Sequence, residues 1–194
     1  MAPVAVTEAG RAAALLDAGA EALAAAARTK GVGDERLLAA IRTTPRTGFL
    51  PEDEAVADPS LELAMVEALG LTGAENVLEV GTGRGWRTAL LAKLARRVWS
   101  IERRYDMAES AAAALARHGV GGVRVIVGEG SRGLPGRAPY HTILVGPTFP
   151  SVPASLTRQL ARGGRLVQPM GGEVVLFERA GNGLERVRSV VAGR

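Results

Sequence analysis

Two carboxylates, Glu79 and Glu102, and three glycines between them carry the most chemistry in this sequence. Gly81, Gly83 and Gly85 alternate with Thr82 and Arg84 directly after the apolar run 76–80, and a helical pattern opens at Trp86. Glycines at such a strand-to-helix turn permit positive φ and let a ligand approach the main chain, while the helix that follows offers unpaired N–H groups. That combination suits a nucleotide-type cofactor. The spacing Gly-x-Gly-x-Gly is one residue tighter than the G-x-G-x-x-G fingerprint of dinucleotide binders, which aims a helix N-terminus at a pyrophosphate. Glu102 closes the run 98–102, 21 residues beyond Gly81. The acid that holds the ribose hydroxyls of a βαβ unit belongs at that distance. A tight turn without ligand is the alternative reading of the same residues.

The rest of the reactive inventory is sparse. There is no cysteine, which excludes disulfides, thiolate catalysis and cysteine-bound metals. No metal site is expected. Of two histidines, His118 precedes Gly119 and reads as a helix C-terminal cap. His141 opens the fourth apolar run, with a structural role and a substrate-side base both open to it. The net charge is only +4, from 24 basic and 20 acidic residues. The pI near 10.3 therefore overstates any case for nucleic acid. Only Lys30 and Lys93 are lysines, so arginine carries the rest, most densely at Arg96, Arg97, Arg103 and Arg104. These four read as a solvated rim or as a surface for an anionic partner. The Ala-rich run 11–27 is interrupted by Asp17 and Glu21 and is no membrane span. The N-terminus lacks the pattern of a secretory signal, and a cytoplasmic location is expected.

With 194 residues and 47% hydrophobic composition, the chain suits one domain with a sizeable core. A helix is expected over about 7–27, with Leu16, Ala20, Leu23 and Ala27 on one stripe. Asp34 suits the N-cap of a second helix carrying Leu37, Leu38 and Ile41, which Pro45 ends. Residues 42–58 read as loop, with an acidic tract at 52–54. Asp58 and Pro59 suit the N-cap and first residue of a third helix, with Leu61, Met65 and Leu69 on one face. Strands then follow at 76–80, 98–102, 123–127, 142–145 and 165–168. Helices start at Trp86, over 105–117 and over about 154–161. Runs this apolar suit parallel strands buried on both faces. Residues 173–178 and 184–191, around Gly181-Asn182-Gly183, read as a β-hairpin.

Several segments together resemble the protein-L-isoaspartate (D-aspartate) O-methyltransferase family, over about 31–171. The stretches 31–41 and 45–51 are similar to its N-terminal signature. Residues 78–86 resemble its first motif, with Trp86 at the usual tyrosine, and 100–103 its ribose segment. Gly128-Glu129-Gly130 is similar to its Gly-Asp-Gly, and 159–167 to its Q-L-x-x-G-G-R-L-V. The resemblance implies a Rossmann-like class I methyltransferase fold. That fold is α/β, a mostly parallel seven-stranded sheet with a C-terminal antiparallel hairpin and helices on both faces. The whole chain, 1–194, would be one domain, with 1–58 a helical cap and 59–194 the core.

By the same resemblance the cofactor is S-adenosyl-L-methionine. Glu79 and the loop residues Gly81, Thr82, Gly83, Gly85 and Trp86 would face its methionine part. Glu102 and Arg103 would serve the ribose, and Gly128, Glu129 and Gly130 the adenine. Glu79 also reads as a loop-bracing acid and Glu129 as a surface acid. The implied activity is methyl transfer to an isoaspartyl-type carboxylate or a related nucleophile of a protein or peptide, in protein repair. A departure bears on substrate. Residues 57–59 fall on the family's Ser-Gln-Pro with Ala57 in place of serine, and about a dozen preceding residues are missing. Ser60 and His141 are the candidates left for a catalytic role. A binding scaffold that keeps the fold without catalysis is the alternative, and membrane or nucleic-acid partners are not expected.

Overall fold

A computed structural model describes residues 8–50, 58–181 and 183–191. Helix α1 (Glu8–Thr29) is followed by α2 (Glu35–Arg42), whose N-cap Asp34 accepts the N–H groups of Arg36 and Leu37. The Pro45 turn runs into one 3₁₀ turn (Arg46–Phe49). Helix α3 (Ser60–Ala68) starts one residue later than expected. Pro59 stands at the cap position, and Asp58 receives the N–H of Ser60 at 2.9 Å from just outside. Strand and helix then alternate: β1 (Asn76–Val80), α4 (Trp86–Leu94), β2 (Arg97–Glu102), α5 (Tyr105–Arg117), β3 (Val123–Val127) and β4 (Tyr140–Val145). Helix α6 (Ala154–Gln159), β5 (Leu160–Met170), β6 (Glu173–Ala180) and β7 (Gly183–Val191) complete the chain.

The sheet runs β3-β2-β1-β4-β5-β6-β7. Strands β1 to β5 pair in parallel, and β6 and β7 return antiparallel. Successive strands move outward from β1 on one side and from β4 on the other. The order therefore reverses between β1 and β4, and in an open α/β sheet ligands bind beyond the carboxyl ends of the strands at that reversal.

Register assigns the two faces. Val77, Val98 and Leu144 join buried residues of α1 to α5 in one apolar cluster. Leu78, Val80, Trp99, Ile101, Ile143 and Val145 point the other way, where α6 contributes Leu156 and the irregular segments add Leu134, Phe149 and Val152. Helices thus cover both faces unequally. On α1, Ala20, Ala24 and Ala27 are buried.

Two expectations are corrected at the sheet. β3 lies at its edge, so Arg124 and Val127 are exposed and the strand is not buried on both faces. Helix α6 stops at Gln159 and β5 begins at Leu160, but regular pairing with β4 resumes only at Arg165 after a register shift. The expected strand start matches the ladder, and the residues before it form an irregular stretch. The extra length comes from neighbouring strands, not from β-propensity in Ala161-Arg162-Gly163-Gly164.

Candidate active site

The loop after β1 is held from below by Glu79. Register sets Glu79 beside Ser100 on the helical face of the sheet. Its Oε2 accepts the hydroxyls of Ser100 at 2.7 Å and Thr88 at 2.5 Å, and its Oε1 accepts Arg87 Nε at 2.8 Å. Glu79 has no exposed surface, so its expected place facing the cofactor is corrected. Both oxygens are spent on groups inside the fold, and the residue braces the loop. Thr82 joins this network through a 2.6 Å hydrogen bond between its hydroxyl and that of Ser100.

Above this brace the main chain turns through positive φ at Gly81 (89°), Gly83 (56°) and Gly85 (91°), conformations that other residues avoid. Gly85 is also the N-cap of α4, and a Cβ there would lie 3.3 Å from that of Ala111. Trp86 is nearly buried. Its indole N–H donates to the Thr44 carbonyl at 2.9 Å, and the Arg46 guanidinium lies 5.3 Å from the ring centroid. The chain before the 3₁₀ turn is thereby tied to the glycine loop. His118 makes a second tie, since its ring stacks on Phe49 at 4.8 Å and its Nε2 lies 3.1 Å from the Gly48 carbonyl. The expected C-cap at His118 is observed as well.

Two cavities open at the β1/β4 reversal. One, about 530 Å³, lies over the loop and is lined by Gly81, Thr82, Gly83, Gly85, Trp86 and Glu102 among others. The other, about 310 Å³, lies between the ends of β2, β3 and β4 and is lined by Arg103, Glu129, Gly130 and Phe149. Gly81, Glu102 and Pro147 line both, so the cavities adjoin at Glu102. One Glu102 oxygen accepts Gly83 N–H at 3.1 Å and the other Arg104 N–H at 3.1 Å, which fixes the carboxylate at the junction and leaves it lone pairs. At Glu129, the N–H and then the hydroxyl of Ser131 hold the carboxyl below its ordinary pKa. Both bonds go to Oε1, and Oε2 makes none among the described residues. Gly130 packs where a Cβ would stand 2.3 Å from Val80 Cγ1. Gly128 lines neither cavity. Its N–H donates to the Glu102 carbonyl at 2.9 Å and so places the following pair.

The two catalytic candidates are not brought to this site. His141 sits at the amino end of β4, accepting Asn76 N–H at 3.1 Å, and lines a separate cavity with Glu75 and Arg165. Five residue rises along the strand, roughly 16 Å, separate it from Gly146 at the carboxyl end. The Ser60 hydroxyl is committed to Asp58 at 2.6 Å and Lys30 at 3.0 Å. Lys30 Nζ also donates to Asp58 Oδ2 at 2.6 Å, and this bond, followed by those from Ser60, pulls Asp58 well below the usual carboxylate range. The substitution at Ala57 and the shortened stretch before it lie outside the described residues. Arg96 precedes β2 and Arg97 begins it, while Arg103 and Arg104 follow its end at Glu102, so the arginine cluster in sequence is two separate groups.

Sequence reasoning missed Arg87, Glu62, Met107 and the segment 146–149, all lining these cavities. The last was findable, because it follows the apolar run that becomes β4, on the far side of the reversal from β1. Arg87 carried no signal, as it falls at a position that the motif leaves open.

The site fits a nucleoside cofactor: carboxylates with spare acceptor capacity stand where the cavities meet and at the far end, and the glycines admit close approach. Known proteins agree. The profile described as protein-L-isoaspartate(D-aspartate) O-methyltransferase matches residues 18–191. A protein-L-isoaspartate O-methyltransferase of Methanoculleus marisnigri is 42% identical over 160 residues, covering 74% of this chain and 73% of the relative. One from Anaeromyxobacter dehalogenans is 42% identical over 186 residues, covering 84% and 89%. A solved protein-L-isoaspartate O-methyltransferase superposes with TM-score 0.76 at 25% identity, over 90% of this chain and 66% of that one. A Plasmodium falciparum protein described as a candidate member, in complex with S-adenosyl-L-homocysteine, shares the fold with TM-score 0.72 at 16% identity, covering 91% and 98%. The profile alone covers most of the sequence, and the chain belongs to the protein-L-isoaspartate (D-aspartate) O-methyltransferase family.

Proposed function

We propose that this chain uses S-adenosyl-L-methionine to methylate the side-chain carboxylate of isoaspartyl residues in proteins, a repair reaction. The observation that carries the reading is the Glu102 carboxylate at the junction of two cavities beside the strand-order reversal, in a member of this family. When bound, the cofactor supplies a methyl group already activated on a positively charged sulfur. Glu102 would accept from the ribose hydroxyls with Arg103 alongside, and Glu129 would accept from the adenine amine. Charge-assisted bonds of this kind are about twice as strong as neutral ones. Gly81, Thr82, Gly83, Gly85 and Trp86 shape the other cavity, Gly130 the adenine end, and Gly128 orients Glu102 and Glu129. A substrate carboxylate is ionised at neutral pH, so the residues need only align it and exclude water, and no base is assigned.

Residues 1–194 are treated as one domain, 1–58 a cap and 59–194 the core; buried residues of α1 and α2 shared with the sheet's apolar cluster support this. No helix among the described residues is long and apolar enough to cross a membrane. We place the chain in the cytoplasm, with which its lack of cysteine is compatible. The two separate arginine groups weaken the case for a nucleic-acid partner. The relatives reported above are named as enzymes, which gives the scaffold alternative no support. Incubation with methyl-labelled cofactor and an isoaspartyl peptide should transfer label above a matched aspartyl peptide. Equal labelling of the two removes the proposed substrate, and the absence of any heat or thermal shift with S-adenosyl-L-homocysteine removes the cofactor.

A further inference from the structure

The floor of the larger cavity holds a cation. Arg87, in the first turn of α4, folds back under the glycine loop. Its Nε donates to buried Glu79 Oε1 at 2.8 Å and its Nη2 to the Gly81 carbonyl at 2.5 Å. Only 11% of the side chain is exposed, and Arg87 is among the cavity-lining residues. It is pressed against the carboxyl end of β4. A Cβ on Gly146 would lie 2.6 Å from Nη2 and 3.2 Å from Nη1, so glycine there makes room for the guanidinium.

A guanidinium carries five N–H donors, and two are used here. Nη1 has no hydrogen-bond partner among the described residues, although the side chain is nearly enclosed. Of the acceptors at this floor, the Glu79 carboxylate is enclosed and bonded through both oxygens, and the Gly81 carbonyl already accepts from Arg87 and keeps one lone pair. The floor therefore presents donors, and a buried donor left unsatisfied is costly. The planar fork matches a carboxylate better than any other group on an amino-acid moiety. Of the other arginines lining the cavity, Arg46 lies over Trp86, Arg104 is exposed and paired with Asp106 at 2.5 Å, and Arg84 has interactions of its own.

Resting on the cofactor reading above, we infer that Arg87 binds the α-carboxylate of the cofactor's amino-acid moiety, with Glu79 and the Gly81 carbonyl holding the guanidinium in place. This gives Glu79 a role in cofactor selection through Arg87, without contact of its own.

The test is a two-by-two calorimetric titration. S-adenosyl-L-homocysteine and its decarboxylated analogue, which keeps the thioether and amine, are titrated into the wild type and into Arg87→Gln. The wild type should bind the analogue on the order of tenfold to a hundredfold more weakly, as expected for one charged hydrogen-bonded contact. Arg87→Gln should bind the two ligands within about threefold of each other, having no cation to lose. The double variant Glu79→Gln/Arg87→Gln, which leaves no unpaired buried charge, supplies the same comparison should the single variant unfold. If the variants weaken both ligands equally, or the wild type does not discriminate between them, Arg87 is a brace for the loop and the inference is overturned. A wild type that binds neither ligand overturns the cofactor reading itself, so the two failures are distinct.

Discussion

At the scale of single residues, position in the fold decided roles that residue type left open. Glu79 and Glu102 are both acids at the ends of parallel strands, and the sequence presents them as equals. The place of Glu102 at a strand end was legible because the interval from the first glycine reflects a complete strand-turn-helix-strand unit. Glu79 was not, because its partners Ser100, Thr88 and Arg87 are assembled by sheet register and a helical turn. Tyr140 is a second residue defined by its surroundings. It is fully buried against Trp99 and donates its hydroxyl to the Leu134 carbonyl at 2.9 Å. Burial pushes its phenol from 10.0 up to about 12. An unfolded chain gives up that proton near pH 10, while the folded one keeps it, so the contribution is intact below pH 10 and is lost as pH rises to about 12. The full loss is about 2–3 kcal/mol. Denaturant unfolding of wild type and Tyr140→Phe across this range should show the extra alkaline loss in the wild type alone; parallel pH profiles would refute it.

At the scale of elements, the strands and helices from β1 to β3 follow local signals. β-branched runs, helix-favouring composition and glycine stops agree there, and the observed bounds match the expected ones within a residue. The N-terminal contribution to the site was less visible, since residues 42–58 read only as loop. The 3₁₀ turn at Arg46–Phe49 is anchored by contacts distant in sequence: Thr44 with Trp86, and Gly48 and Phe49 with His118. The Trp86 tie is the more buried of the two. Trp86→Phe would leave the Thr44 carbonyl without its donor and open space beside it, costing about 2–3 kcal/mol by the lost bond and the smaller ring together. The loss should be accompanied by faster amide exchange in 44–50, while β4 and β5 keep their protection. An unchanged denaturation midpoint would show that this tie adds nothing.

At the scale of the molecule, the candidate site has no single owner. The glycine loop follows β1, Glu102 ends β2, Glu129 follows β3, and 146–149 follow β4. The sheet order brings these four strand ends into one row. A ligand spanning both cavities therefore bridges segments that otherwise meet only through the sheet, and its binding energy should register as stability of the whole carboxyl edge. At a hundred times its dissociation constant, S-adenosyl-L-homocysteine should add about 2.7 kcal/mol. For a chain of this length that is a rise of roughly 5–10 °C in the unfolding midpoint. Hydrogen exchange should locate the same effect, slowing together at 81–86, 102–104 and 128–131 and leaving the opposite edge around His141 and Gly163 unchanged. Slowing confined to one loop would mean that the two cavities do not hold one ligand, and that Glu102 is not the junction its position indicates.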